Sequence, residues 1–192
     1  MYPLRKRTLA FIDVETTGLD AAHHEVIEYA IILEDRWSGT QEYSGRVIPQ
    51  FIERASPKAL EVNGYTPEKW RDALPAEVVA PHIANLLKDT VLIGHNVRFD
   101  AGFISEMLKR AGVEARIDYH LVDTVTLAWE HLAPLGLKSL SLKNVCKFIG
   151  AEPEQEPHGA LGGARKCREV YHILLRANWL KRLMWRIRKR KG

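Results

Sequence analysis

The segment from Phe11 to Leu19 constrains the fold of this chain more than any other, because a short apolar run ends in two acidic residues and a turn. Residues two apart on a β-strand point to the same face of a sheet, so Asp13 and Glu15 are predicted to project together. Two neighbouring carboxylates repel each other unless a proton or a cation neutralises them, and their oxygens suit Mg²⁺ and Mn²⁺. The segment predicts a buried strand with a cation site; a strand end with two solvated acids is the alternative.

The composition is that of a globular protein with a hydrophobic core. Of the 192 residues, 46% are hydrophobic and 27% are charged, which fits one sizeable domain. The apolar stretch from Leu9 to Ile12 is too short for a signal peptide or a membrane span, so we expect a cytoplasmic protein without a membrane partner. Cys146 and Cys167 have neither paired nor metal-binding spacing, and both are expected to be reduced and buried in helices.

Positive charge is concentrated at the C-terminus. The net charge is +4, but seven of the 28 Lys and Arg residues lie in residues 181–192, which leaves 21 against 24 acidic residues elsewhere. Such a segment neutralises nucleic-acid phosphates, or it remains merely solvated. We therefore predict one globular domain over residues 1–176 and a basic amphipathic tail over residues 177–192, with Trp185 as a candidate interfacial aromatic. The apolar residues at helical spacing in this tail are Trp179, Leu180, Leu183, Met184 and Ile187.

The order of the predicted elements indicates a mixed α/β sheet. Strands are predicted over residues 8–14, 25–35, 40–49, 90–94 and 117–121, and helices over residues 57–62, 67–70, 76–88, 101–110, 122–132, 141–149 and 159–175. Pro81 interrupts the 76–88 helix and predicts a late start or a kink. Strands that come first as a meander and then alternate with helices are typical of an α/β domain, and no second domain is predicted.

Three separated segments carry residues that can support catalysis. These are the pair Asp13 and Glu15, Asp100 at the end of H-N-V-R-F-D, and His158 at the start of H-G-A-L-G-G-A. Asp100 also precedes a predicted helix, so an N-cap is its structural alternative. His158 follows an acidic loop and has a solvated loop histidine as its alternative. The residues alone leave both interpretations open.

The order, spacing and flanking residues of these segments resemble the histidine-containing branch of the DEDD superfamily of 3′→5′ exonucleases, which includes DnaQ-like proofreading exonucleases, ribonuclease T and oligoribonuclease. The resemblance covers residues 8–176 and rests on D-V-E-T-T-G-L, H-N-x-x-F-D and H-x-A-L. It implies a ribonuclease H-like fold, a mixed five-stranded sheet flanked by helices. It also implies hydrolysis of single-stranded DNA or RNA from the 3′ end to nucleoside monophosphates. A polymerase or another replication or repair protein is the expected partner, and the oligomeric state stays open.

The resemblance implies a role for each site residue. Asp13 would bridge two Mg²⁺ or Mn²⁺ ions, Glu15 would bind the ion that holds the attacking water, and Asp100 would support the second ion. His158 would accept the proton from that water, for which an ordinary pKa of ~6.5 is suitable. The residues implied to contact the terminal nucleotide, the last four more weakly, are Thr16, Thr17, Gly18, Leu19, Asn63, Tyr65, Phe99 and Phe103. Turn hydrogen bonds for the two threonines and a core position for Leu19 are the structural alternatives.

Gly163 departs from the family pattern, which places an aspartate five residues after the histidine. Three carboxylates would then face two divalent cations, so binding at one cation site is expected to weaken by at least about 10 to 100-fold. Water, substrate phosphate, Glu154 or Glu156 are candidates to fill the position. The glycine is explained by an engineered substitution, by natural attenuation or by conversion to a binding module. We favour the first explanation because the rest of the constellation is complete.

Two rival functions follow from these features. The first is a catalytically inactive module that holds a nucleic-acid 3′ end without cutting it. In the second, the main function belongs to the basic tail, a helix that binds a partner protein or a membrane surface and thereby brings the exonuclease domain to it.

Overall fold

A computed structural model of the protein describes residues 7–115, 117–118, 120–153, 159–177 and 184–185. Five strands form one mixed sheet in the order β3-β2-β1-β4-β5. The strands are β1 (Leu9–Thr16), β2 (Val26–Asp35), β3 (Gly39–Arg46), β4 (Val91–Gly94) and β5 (Val122–Asp123). The strand β2 is antiparallel to both of its neighbours, β1 and β3, whereas β4 and β5 run parallel to β1. The predicted mixed sheet is therefore confirmed.

The central strand β1 carries the acidic pair. Phe11 and Ile12 are fully buried because both faces of the sheet are covered, which explains why this strand reads as a continuous apolar run. Ile12 belongs to the core cluster on one face, and Phe11 to the cluster on the other. By the alternation of a strand, Asp13 and Glu15 lie on the Phe11 face.

Helices cover both faces of the sheet. The described residues contain α1 (Pro57–Asn63), α2 (Ala76–Leu87), α3 (Val97–Arg110), α4 (Thr124–Leu132), α5 (Leu142–Ile149) and α6 (Ala160–Leu175). Ile83 of α2 and Ile104 of α3 pack in the same cluster as Ile12. Ala164 and Cys167 of α6 pack in the cluster of Phe11. Consequently α6 is the helix that lies over the acidic pair.

The last strand and the helix after it differ from the prediction. In the described part of the chain β5 consists of Val122 and Asp123, which pair with Ile93 and Gly94 of β4, whereas a strand was predicted over residues 117–121. The following helix begins at Thr124 because the Asp123 side chain accepts a hydrogen bond from the Val125 N–H at 2.8 Å and so forms its N-cap.

The starts of two further helices bear on the predictions made for Asp100 and Pro81. The α3 helix starts at Val97, with Asn96 as its N-cap at a φ of 71°, so the interpretation of Asp100 as an N-cap is wrong. The α2 helix starts at Ala76, and Pro81 lies inside it, so the predicted late start is also wrong. Residues 67–70, predicted as helix, form turns.

The cysteine prediction is confirmed, because Cys146 and Cys167 are reduced and buried in α5 and α6. Most of the tail, residues 178–183 and 186–192, lies outside the described residues, and so does the predicted amphipathic helix. Trp185 is buried against a helical core cluster and donates its indole N–H to the Ile149 carbonyl at 3.3 Å, so its interpretation as an interfacial aromatic is wrong. No helix in the described part of the chain is long and apolar enough to span a bilayer.

Candidate active site

Gly163 on α6 lies directly over Asp13 on β1. A β-carbon added to Gly163 would meet the Asp13 carboxylate, closest to Oδ2 and 2.8 Å from Cγ. The position at which the family pattern places an aspartate therefore faces the strand aspartate. The Asp13 carboxylate occupies the space that a longer side chain at position 163 would enter.

Asp100 is the most buried acid of the constellation, with 3% of its surface exposed. Its Oδ1 accepts a hydrogen bond at 3.1 Å from the backbone N–H of Val14, the residue between Asp13 and Glu15. The pKa of Asp100 is raised to about 8, mainly by burial and also by the negative charges of Asp123 and Glu15, against the lowering effect of its backbone hydrogen bonds. Without a cation, Asp100 is therefore mostly protonated at neutral pH.

Asp123 is a site carboxylate that the sequence analysis missed. Its Oδ1 accepts from the Val125 N–H at 2.8 Å and from the Asn96 N–H at 3.0 Å, so it fixes both the start of α4 and the loop before α3. Its charge acts on Asp100. The sequence signal for Asp123 was its position directly before Thr124, since Asp is a typical N-cap residue. The signal was missed because the helix was predicted to begin at Val122, which places Asp123 inside it.

Cys167 marks the point where the acids converge. Burial raises the pKa of its thiol, and the charges of Asp13, Asp100 and Asp123 raise it further. The Thr124 hydroxyl lies 3.8 Å from its sulfur. The thiol is therefore neutral and a poor nucleophile, and the carboxylates that act on it come from β1, α3 and the end of β5.

The turn after β1 is built by its own side chains. The Thr16 hydroxyl donates to the Gly18 carbonyl at 2.6 Å, and the Thr17 hydroxyl accepts from the Glu25 N–H at 2.9 Å, which confirms the turn interpretation for both threonines. Gly18 lies against the His24 imidazole, whose Cγ would be 2.6 Å from an added β-carbon. Leu19 is 85% exposed, so the core alternative for Leu19 is wrong.

The weaker substrate candidates lie in different environments. Asn63 is buried, and its Nδ2 donates to the Thr16 carbonyl at 3.1 Å, so it supports the turn from beneath. Tyr65 is half-buried, 5.0 Å from the Trp70 ring between centroids. Phe103 is buried in the core next to the half-buried Phe99, and it has almost no surface with which to contact a substrate.

His95 of the H-N-V-R-F-D segment holds the loops around the site. Its Nε2 donates to the Leu140 carbonyl at 2.7 Å, and its Nδ1 lies 2.9 Å from the Thr124 hydroxyl. Burial lowers the pKa of His95, which keeps the imidazole neutral. Its contacts join the end of β4 to the start of α4 and to the loop before α5.

His158, the predicted proton acceptor, lies outside the described residues, as do Glu154 and Glu156. Within the part of the chain that the structure describes, no group of three or more His, Cys, Asp or Glu side chains is arranged to hold a metal ion. The donor chemistry nevertheless fits a hard divalent cation, because Asp13 and Glu15 share a strand face and neighbouring negative charge contributes to the raised pKa of Asp100. The carboxylates are therefore ligands of the type that binds such an ion, but within the described residues they do not form a complete coordination site.

A mixed five-stranded sheet with acids meeting at one end of its central strand defines the class as a nuclease-type α/β domain. A family model described as "Exonuclease" matches residues 10–171. The chain therefore belongs to this exonuclease family, and the resemblance to the DEDD superfamily is confirmed.

The chain is also similar in sequence to curated proteins that are described as DNA polymerases. It is 31% identical over 165 residues to "DNA polymerase III PolC-type" of Thermotoga maritima, a match that covers 85% of this chain and 12% of the relative. The protein of the same description from Bacillus cereus is 32% identical over 158 residues, which covers 79% of this chain and 10% of the relative. The chain thus spans about a tenth of the length of these relatives.

Solved structures confirm the ribonuclease H-like fold. "Exonuclease I (apo)" matches with a TM-score of 0.74 at 21% identity, covering 94% of this chain and 44% of that one. E. coli Exonuclease I in complex with a dT13 oligonucleotide matches with a TM-score of 0.72 at 22% identity, covering 93% and 42%. A zinc ion bound form of the E. coli ExoI-ssDNA complex matches with a TM-score of 0.72 at 22% identity, covering 88% and 40%. At these identities the likeness shows the fold.

Proposed function

We propose that the protein is a metal-dependent 3′→5′ exonuclease that removes nucleotides from single-stranded ends as nucleoside monophosphates, at a rate lowered by Gly163. The observation that supports this most strongly is the placement of position 163 directly over the Asp13 carboxylate, beside Glu15. Single-stranded DNA is the favoured substrate because the matched Exonuclease I structures contain DNA oligonucleotides. The PolC-type relatives favour a polymerase or another replication protein as the partner, and a cytoplasmic location.

The positions of the acids support the roles proposed for them. Asp13 and Glu15 would hold Mg²⁺ or Mn²⁺, and Asp100, tethered to the Val14 N–H between them, would complete the donor set. A divalent cation bound there would polarise the scissile phosphate and lower the pKa of a water molecule. His158 would accept the proton of the attacking water.

The turn after β1 would hold the terminal nucleotide. The exposed Leu19 would pack against its base, while the hydrogen bonds of Thr16 and Thr17 and the close fit of Gly18 keep the turn in place. Asn63 acts on this surface through the Thr16 carbonyl rather than through the substrate. Tyr65 and Phe99, both half-buried, remain proposed contacts for the adjoining part of the strand.

Because Gly163 stands where the family pattern has an aspartate, the site has one negative charge fewer than that pattern. Fewer charges and fewer donors weaken the binding of the second cation, so the proposed enzyme needs a higher cation concentration than one with the full set of acids. The competing function is an inactive module that binds a 3′ end. It is favoured by Gly163 and by the lack, within the described ranges, of a metal-holding group of three side chains.

The tail has a separate proposed role. We assign catalysis to residues 1–176 and attribute to residues 177–192 the neutralisation of nucleic-acid phosphates, because seven basic residues lie in residues 181–192. The buried Trp185 would anchor this segment to the helices of the domain.

The direct test is cleavage of a single-stranded DNA oligonucleotide labelled at its 5′ end, in excess enzyme with Mn²⁺. We expect products that shorten stepwise from the 3′ end, and a rate at least about 100-fold lower in Asp13→Asn, since that change removes a proposed cation ligand. Asp72→Asn, which alters an acid whose side chain is 88% exposed, is the matched control and should cut like wild type. An RNA oligonucleotide of equal sequence compares the two substrate classes.

The outcomes separate the two functions. If both the wild type and Gly163→Asp bind the oligonucleotide but leave it intact, the proposed enzyme activity is wrong and the binding module is the function supported. Equal cleavage by wild type and Asp13→Asn would instead place the activity outside this site.

A further inference from the structure

Glu28 on β2 belongs to the same face of the sheet as the acidic pair. In the β1–β2 register it lies directly opposite Glu15, and directly opposed residues of antiparallel strands project to the same side. That side is the one covered by α6. The Glu28 side chain is only 17% exposed, so its carboxylate lies in the layer between the sheet and this helix.

The α6 helix cannot cap its own beginning. Its N-cap residue is Gly159, which has no side chain, and the first N–H groups of any helix lack partners within the helix. Glu28 supplies the missing acceptor from another element: its Oε1 accepts from the Ala160 N–H at 3.0 Å. A carboxylate at this end of a helix also interacts favourably with the helix dipole.

The second oxygen of Glu28 is held as well. The Arg46 Nε lies 3.6 Å from Oε2, and Arg46 is fixed by its hydrogen bond at 2.7 Å to the Lys69 carbonyl and by its position 4.7 Å above the Trp70 ring. Arg46 therefore restrains the carboxylate independently of its contact with α6.

The cap connects to the proposed active site through one helical turn. The Gly163 N–H donates to the Gly159 carbonyl at 3.1 Å, and Gly163 faces Asp13. Gly159 also directly follows His158 in the chain. A shift of the first turn would therefore change the distance from α6 to Asp13.

We propose that Glu28 is a positioning residue for the cleavage reaction: it caps α6 from the neighbouring strand and sets the distance between this helix and the acids of β1. The expected effect of Glu28 on the cleavage rate rests on the proposed exonuclease function. Its effect on the placement of α6 rests on the structure alone. Glu28 itself touches neither the substrate nor the reacting atoms in this role.

The test compares Glu28→Ala, which removes the acceptor, with Glu28→Gln, which keeps an acceptor oxygen but loses the charge. In Glu28→Ala we expect amide hydrogen exchange in residues 160–164 to become about tenfold faster, and kcat on a single-stranded oligonucleotide with Mn²⁺ to fall about tenfold while KM stays within about threefold. Glu28→Gln should recover most of both losses. A merely structural role would lower Tm without splitting kcat from KM.

The matched control is Glu34→Ala on the same strand. Glu34 holds the opposite end of α6 by accepting from the Arg168 Nε at 2.7 Å and from His172 at 2.9 Å, so its removal should leave exchange in residues 160–164 unchanged. Unchanged exchange in Glu28→Ala, or equal losses in the alanine and glutamine variants, would overturn the proposal. If the wild type does not cleave, the proposed function fails, and the exchange measurement still decides whether Glu28 places the helix.

Discussion

Gly163→Asp is expected to raise the Mn²⁺-dependent cleavage rate of a single-stranded oligonucleotide by about 10 to 100-fold. The substitution adds the fourth carboxylate at the point where α6 passes over β1, because the Cα–Cβ direction of Gly163 already leads to Asp13. A fourth negative charge balances two divalent cations, so the gain should be largest at cation concentrations that leave the wild type unsaturated. The measurement is single-turnover cleavage over a titration of Mn²⁺.

The new side chain requires one local adjustment. Its β-carbon would lie 3.1 Å from the Asp13 Oδ1 and closer to Oδ2, so the Asp13 carboxylate must rotate away from the helix. The aspartate side chain can rotate without moving the backbone. An ion bound by both carboxylates would in addition favour the rotated position. Gly163→Ala introduces the same β-carbon without the carboxylate and is the matched control. An increase shared by both variants, or found in neither, would contradict the assignment of position 163 as the missing ligand.

Asp100→Asn is expected to stabilise the cation-free protein above neutral pH and to abolish cleavage. Burial raises the pKa of Asp100 to about 8, while an unfolded aspartate has a pKa of ~3.9. The stability contributed by the protonated folded form is fully present below about pH 4 and is lost as pH rises toward 8, by up to ~1.4 kcal/mol per pH unit. Asparagine keeps the oxygen that accepts from the Val14 N–H and carries no charge at any pH.

Urea unfolding in EDTA between pH 5 and pH 8 measures this effect. The free energy of unfolding of Asp100→Asn relative to wild type should grow by roughly 3 kcal/mol between pH 5 and pH 7.5. Asp72→Asn, at an exposed position, should show no comparable trend. A variant that is less stable than wild type at every pH would show that Asp100 is ionised and well paired without a cation. The proposed excess of negative charge at the site would then be wrong.

The acidic pair could be predicted because its signal is local. The alternation of β1 places Asp13 and Glu15 on one face whatever the remainder of the fold, and the buried apolar run identifies the strand. The turn after β1 could likewise be predicted from Thr16, Thr17 and Gly18, because the two threonine hydroxyls and Gly18 contact residues that are close to them in the chain, at most eight residues away.

Other features depend on contacts between distant elements. The start of α3 was missed because Asn96 takes up a left-handed conformation and its N–H is held by Asp123, which is 27 residues away. The strand β5 is only two residues long and is defined by its pairing with β4, since it has no apolar pattern of its own. The contact between Glu28 and Ala160 spans 132 residues and has no sequence signal at either end.

The same reasoning explains the outcome for the aromatic candidates. Phe99 and Phe103 lie one helical turn apart on α3, beside Asp100, but the helix predicted from residue 101 did not include Phe99, and only packing decides which ring faces inward. Phe103 is in the core, and Leu19, which an apolar pattern would bury, is exposed next to the turn.

The most direct test of the central claim is diffraction from crystals soaked with MnCl₂ and thymidine monophosphate, with data collected at the manganese absorption edge. We predict an anomalous peak within bonding distance of the carboxylates of Asp13 and Glu15, and a weaker second peak on the Asp100 side of Asp13, where Gly163 supplies no ligand. Saturating manganese that leaves these three carboxylates without a peak, or that binds only elsewhere on the protein, would contradict the account.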